Sequence, residues 1–170
     1  MILGIDISTS KIGVSIIDYK ENLILSELIK MKTSDSLEVR AKIFNKRMIE
    51  IRRNYEIKHI FIEQPFMAFS GGKTTAVTMA KLQRFNGMCC YAIYDLYGFA
   101  GSLIQANKAR GLVELKIKRG DKAKLKVIEW VEAKYPKDFI VEYTRHGNPK
   151  PGTDDKADAI VIANAGLKTI

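Results

Sequence analysis

The first sixty residues alternate short apolar runs with polar breaks, and the spacing then lengthens. Residues 1–7 (Met1, Ile2, Leu3, Gly4, Ile5, Asp6, Ile7) read as a strand that the turn-forming Ser8-Thr9-Ser10-Lys11 interrupts. Residues 13–19 and 23–31 are two further β-rich runs, parted by Lys20-Glu21-Asn22, and three antiparallel strands in a meander fit this opening. Ser34-Asp35-Ser36 then offers N-caps, and Leu37, Ala41, Phe44, Met48 and Ile51 recur at helical spacing. The opposite face of that helix is expected to be basic, with Arg40, Lys42, Lys46, Arg47, Arg52 and Arg53. His59-Ile60-Phe61-Ile62-Glu63 is a short apolar strand stopped by Gln64-Pro65. Residues 74–94 have helical composition, 99–105 return to strand, and a shorter helix starts near Asn107. Another follows Gly120-Asp121 with Leu125, Ile128, Trp130 and Val131 as its apolar residues. Residues 143–152 form a loop of basic, Gly and Pro residues before a final helix, capped by Thr153, that runs through Leu167. This order predicts one α/β domain over residues 1–170, with a mixed five-stranded sheet flanked by α-helices.

Composition agrees with a globular domain: of 170 residues, 46% are hydrophobic and 28% charged, with four prolines and no long polar tract. The apolar runs are of strand length, so no membrane association is expected. The start of the chain lacks the features of a secretory signal, which predicts a cytoplasmic, nucleoid-associated location, or the host cytoplasm for a viral protein. Cys89 and Cys90 are adjacent in a helical pattern, show neither disulfide nor zinc spacing, and read as core residues. Lys and Arg number 28 against 19 Asp and Glu, a formal net charge of +9 that favours a polyanionic partner. Charge alone does not choose among DNA, RNA and acidic lipid.

Four acids change the picture. Asp6 and Glu63 each end an apolar strand, and Asp155 and Asp158 lie three apart near the start of the last helix. Singly, each has an ordinary role: a turn cap, a solvated strand end, or an acid favoured by the helix dipole. A sheet that pairs the first strand with the fourth would bring Asp6 and Glu63 to neighbouring strand ends. Helical spacing puts Asp155 and Asp158 on one face, with Asp154 also within reach. Converging carboxylates repel, so protonation, a cationic side chain or a metal must compensate. Two Mg2+ ions roughly 4 Å apart would do so and would suit phosphodiester hydrolysis.

Gly4-Ile5-Asp6 with Gly13-Val14, then Phe61-Ile62-Glu63-Gln64-Pro65-Phe66-Met67, then Asp155-Lys156-Ala157-Asp158-Ala159-Ile160-Val161-Ile162-Ala163 resemble, in order, the three acidic motifs of the RuvC-type Holliday junction resolvases. Arg119-Gly120-Asp121-Lys122-Ala123 resembles that family's basic segment before its penultimate helix, while Ile7-Ser8 stands where the family has Pro-Gly. The resemblance implies a ribonuclease H-like fold, a homodimer, paired nicks across four-way DNA junctions, and catalysis by Asp6, Glu63, Asp155 and Asp158. Those four acids are then the metal ligands for two Mg2+ ions, which Mn2+ would replace, with Asp154 as an alternative to one of them. His146, in a Gly-containing loop beside the last motif, is a further catalytic candidate.

For DNA, the resemblance implies that Phe66 stacks on a base at an opened junction. Lys116, Lys118, Arg119 and Lys122 form one basic stretch, and Arg145 and Lys150 another, both suited to phosphate contact. Ser70-Gly71-Gly72-Lys73-Thr74 ends like a phosphate-cradling loop, yet Met67 stands where the first glycine belongs. Lys73 is therefore expected to meet DNA in a loop rather than to bind a nucleotide. Val77, Ala80, Leu82, Phe85, Met88, Cys89 and Ala92 are too many apolar positions for a narrow core stripe, and part of that surface is expected to meet a second subunit. The expected activity is resolution of four-way junctions to 5′-phosphate and 3′-hydroxyl ends. Its rivals are a relaxed nickase of forks and flaps, an RNA–DNA hybrid nuclease, a turnover-deficient binding protein, and a basic structural protein.

Overall fold

A computed structural model describes residues 1–65 and 75–170. Its elements run β1 (Ile2–Ile7), β2 (Lys11–Ile17), β3 (Leu23–Lys30), α1 (Leu37–Asn54), β4 (His59–Glu63), α2 (Ala76–Tyr97), β5 (Ser102–Ile104), α3 (Ala106–Leu112), α4 (Ala123–Lys134) and α5 (Thr153–Leu167). The sheet order is β3-β2-β1-β4-β5. Strands β1, β2 and β3 form the antiparallel meander, while β4 lies parallel to β1 and β5 parallel to β4. The parallel pairing follows from the crossover through α1, which returns the chain to the same end of the sheet.

Period-two alternation divides the strands between two apolar layers. Leu3, Ile5, Ile12, Val14, Ile16, Ile60 and Ile62 pack beneath α1 and α2, against Phe44, Met48, Phe85 and Ile93. Ile2, Ile17 and Phe61 face the other way, toward α4 and α5, against Val127, Val131, Ile160 and Ala163. α5 is buried along almost its whole length, and small residues let it lie close to the sheet. A Cβ on Gly4 would stand 2.3 Å from the Ala159 carbonyl oxygen, and one on Gly13 would stand 1.9 Å from that of Asp155. Between them, Ser15 Oγ donates to the Ala159 carbonyl at 2.7 Å. Thus Gly4, Gly13 and Ser15 fix where α5 sits.

Two expectations are corrected. The cap of the last helix is Gly152, whose φ of +97° suits glycine, and Thr153 is already helical. Arg40 does not belong to a solvated basic face: it is 1% exposed and reaches inward, donating from Nη1 to the Thr9 carbonyl at 2.6 Å and from Nη2 to the Thr33 carbonyl. It therefore ties the turn after β1 to the segment before α1. Arg47 donates to Glu27 and Glu50, each contact at 2.7 Å. Ser36 caps α1 as expected, accepting from the Val39 amide. Among the described residues, no helix is long and apolar enough to cross a membrane.

Candidate metal centre

The strand alternation that sends Ile2 and Gly4 toward α5 sends Asp6 there too. In the parallel register Ile5 pairs with Ile62, so Asp6 and Glu63 follow one residue later on adjacent strands. Asp158 reaches them from α5, one turn beyond the first-turn acids Asp154 and Asp155. One carboxylate oxygen each from Asp6, Glu63 and Asp158 lies within 4.8 Å of the other two. Asp155 stands beside this triad without joining it, close enough for its charge to act on Asp6 and Glu63.

The crowding leaves an electrostatic signature. Burial raises the Asp6 carboxyl well above its usual range, and the charges of Glu63, Asp158, Asp155 and Asp154 add to the rise. Burial, then Asp158, pushes Glu63 up to about 7, although Arg110 and Lys124 oppose it. Burial carries Asp158 to about 6 against the pull of Arg110. Asp155 is raised by burial and by Asp154, with Lys11 and Lys124 opposing. Asp154 differs: burial would raise it, but the hydrogen bond from Lys124, the charge of Lys124 and backbone amide hydrogen bonds together outweigh that and hold it low. Such oxygens, grouped with too little internal compensation, are the donor set that a hard divalent cation satisfies.

The three basic side chains that oppose these acids were missed by motif reading. Lys11 Nζ lies 3.9 Å from Asp155, Arg110 Nη2 lies 3.6 Å from Asp158, and Lys124 pairs with Asp154. No local pattern marks them, because each comes from a different element and only the folded chain brings them to α5. Lys116, Lys118, Arg119 and Lys122 are exposed on the connection from α3 to α4, which leads into Lys124. Arg145, His146 and Lys150 belong to an exposed turn leading into α5, closed by a bridge between Tyr143 and Pro149. There Arg145 Nε donates to His146 Nε2 at 3.0 Å and Lys150 Nζ pairs with Glu142 at 2.8 Å, so His146 is not part of the acid cluster. Phe66 and Lys73 lie outside the described residues.

No family model matches the chain. A curated relative, the crossover junction endodeoxyribonuclease RuvC of Saccharophagus degradans, is 31% identical over 84 residues. That alignment covers 48% of this chain and 49% of the relative, so it spans about half the length of each. A solved structure described as Thermus thermophilus RuvC in complex with Holliday junction substrate superposes with a TM-score of 0.69 at 16% identity, covering 96% of this chain and 90% of that one. The fold is that of RuvC. A second Thermus thermophilus RuvC structure gives a TM-score of 0.64 at 18% identity, with 96% of this chain and 91% of that one covered. The yeast mitochondrial Holliday junction resolvase Ydc2 gives 0.58 at 14% identity, with 98% and 77% covered. In this RuvC fold the first strand, the fourth strand and the last helix deliver Asp6, Glu63 and Asp158 to one place.

Proposed function

We propose that the protein is a divalent-metal-dependent endonuclease that resolves four-way DNA junctions, nicking two opposed strands to leave 5′-phosphate and 3′-hydroxyl ends. The single observation that carries the reading is the convergence of Asp6, Glu63 and Asp158 from three separate parts of a RuvC fold. Junction DNA as substrate is inferred from the similar proteins, a crossover junction endodeoxyribonuclease and Holliday junction resolvases.

Asp6, Glu63 and Asp158 would hold Mg2+, with Asp155 completing a two-ion site and Asp154 its substitute; Mn2+ would serve in place of Mg2+. When bound, the ions supply an activated water and stabilisation of the leaving oxygen. The chain's own part is to fix the acids and exclude competing geometry. Gly4, Gly13 and Ser15 hold α5 against the sheet, so Asp158 has little freedom relative to Asp6. The exposed Lys116, Lys118, Arg119 and Lys122, with Arg145 and Lys150, would contact phosphates and confer steep salt dependence, and Phe66 would stack on an unpaired base. His146 would act from the exposed turn once DNA is seated, and His146→Ala tests that role.

A homodimer would present two such sites to opposed strands. Its support is the outer face of α2, where Val77, Tyr91 and Tyr94 are exposed and Gly87 leaves open space between them. The deciding experiment is cleavage of an end-labelled synthetic four-way junction with Mg2+, beside linear duplex, fork and RNA–DNA hybrid. Symmetric paired nicks confined to the junction are expected, and Asp6→Asn should bind it without cutting. Equal cleavage by Asp6→Asn and the parent refutes the assigned site.

A further inference from the structure

Each first-turn or second-turn acid of α5 has a cation of its own. Lys11 opens β2 on the strand face that continues through Gly13 and Ser15 onto α5, and it approaches Asp155. Arg110 approaches Asp158 from α3, and Lys124 approaches Asp154 from the first turn of α4. At 3.9 and 3.6 Å, the Lys11 and Arg110 contacts are longer than well-made charge-assisted hydrogen bonds. The Lys11 and Lys124 side chains are 34% and 72% exposed, so their outer sides are open to a ligand.

Charge bookkeeping gives these pairs a purpose. Asp6, Glu63, Asp154, Asp155 and Asp158 against Lys11, Arg110 and Lys124 leave a formal charge of −2 at most, which repels a phosphate. Two divalent ions bring it to about +2, and the same place then attracts one. Carboxylates engaged by those ions no longer hold their ammonium and guanidinium partners, which the added positive charge also repels.

We infer that Lys11, Arg110 and Lys124 form a phosphate-binding collar that the α5 carboxylates mask in the metal-free protein: divalent ions that take Asp155 and Asp158 release Lys11 and Arg110, and the added positive charge loosens Lys124 from Asp154. The collar rests on the nuclease reading and extends it: metal loading and DNA engagement become one coupled event. Lys11 is its most diagnostic member, because it lies outside every basic stretch of the sequence and sits on a strand rather than a surface loop.

The test is fluorescence anisotropy of a labelled four-way junction with the full chain, titrated over a salt series in Ca2+ or in EDTA at matched ionic strength, with the junction checked on a gel for integrity. The slope of log Kd against log salt should steepen in Ca2+ by about 0.9 for each collar cation engaged. Lys11→Gln should lose about 0.9 of that Ca2+-dependent increment, keep the EDTA slope, and be rescued by Lys11→Arg. Identical parent slopes in Ca2+ and EDTA overturn the collar, and so does an equal loss in both conditions by Lys11→Gln, which would make Lys11 a permanent contact. If the parent binds no junction while electron paramagnetic resonance still shows bound Mn2+, the junction reading itself fails and takes the collar with it.

Discussion

Gly13→Ala adds one methyl group at the place where the sheet meets the last helix. The new Cβ would lie 1.9 Å from the Asp155 carbonyl oxygen and 2.5 Å from its carbonyl carbon, both backbone atoms that no rotamer change can move. Ordinary contact begins near 3.4 Å, so about 1.5 Å must be found by moving α5 or β2. Forcing an extra methyl into such packing costs about 1–3 kcal/mol. The larger effect falls on function, because Asp155 and Asp158 ride on the displaced turn while Asp6 and Glu63 stay on the sheet. A misplacement of about 1 Å in a reacting constellation costs on the order of 100-fold in rate. Urea unfolding should show a lower midpoint with an unchanged slope, single-turnover junction cleavage should fall by about that factor, and Mn2+ binding should weaken. Gly111→Ala is the control: its Cβ meets nothing within 4 Å, and helix propensity predicts no loss and up to about 1 kcal/mol of gain. A Gly13→Ala protein that unfolds and cleaves like the parent would refute the argument that close approach of α5 sets the acid geometry.

Because Glu63 and Asp158 titrate near 7 and 6 when folded, above the unfolded carboxyl range near 4, the folded metal-free protein binds the extra protons. The contribution of these two groups to stability should therefore be full at and below about pH 4 and be lost progressively as pH rises to about 7, and saturating Mg2+ should flatten that loss in a thermal melt. Asp6→Asn should raise the metal-free melting temperature at pH 8 by about 2–4 °C while abolishing cleavage, since it removes a carboxyl whose ionisation both burial and the neighbouring carboxylates oppose. Arg40→Ala leaves a cavity and orphans the Thr9 and Thr33 carbonyls, so chemical denaturation should register a loss of about 3 kcal/mol. Tyr91→Asp with Tyr94→Asp should turn a dimer into a monomer in sedimentation velocity, and no change would move the subunit contact away from α2.

The acids were legible in the sequence because each stands next to a strong periodic signal: Asp6 and Glu63 at the ends of strands, Asp158 on a helix. Strand pairing then needed only the meander and crossover rules to bring the two strand acids together. What periodicity does not carry is the partners that polar residues meet. Arg40 stands three residues after Leu37 and four before Phe44, on the apolar face itself, so helical spacing points it inward despite its charge; what spacing does not reveal is that its guanidinium meets two carbonyls belonging to separate turns. Arg110 and Lys124 look like ordinary basic residues on helices, and only tertiary packing opposes them to Asp158 and Asp154. Gly152 displaced Thr153 as the helix cap because the incoming chain needs a positive φ there, and a Cβ would stand 2.2 Å from Leu28, a contact with no trace in local sequence. Asp155, one of two acids in the first turn of α5, is drawn toward Lys11 rather than into the triad, a distinction finer than helical spacing resolves.

Joint action of Asp6, Glu63 and Asp158 as a cation site is what the proposed activity requires. Anomalous diffraction from crystals soaked in Mn2+ tests it most directly. A strong peak bounded by those three carboxylates, absent from Asp6→Asn crystals, is the predicted result. Manganese bound elsewhere on the chain, with the three carboxylates left without an ion at saturating Mn2+, would contradict it.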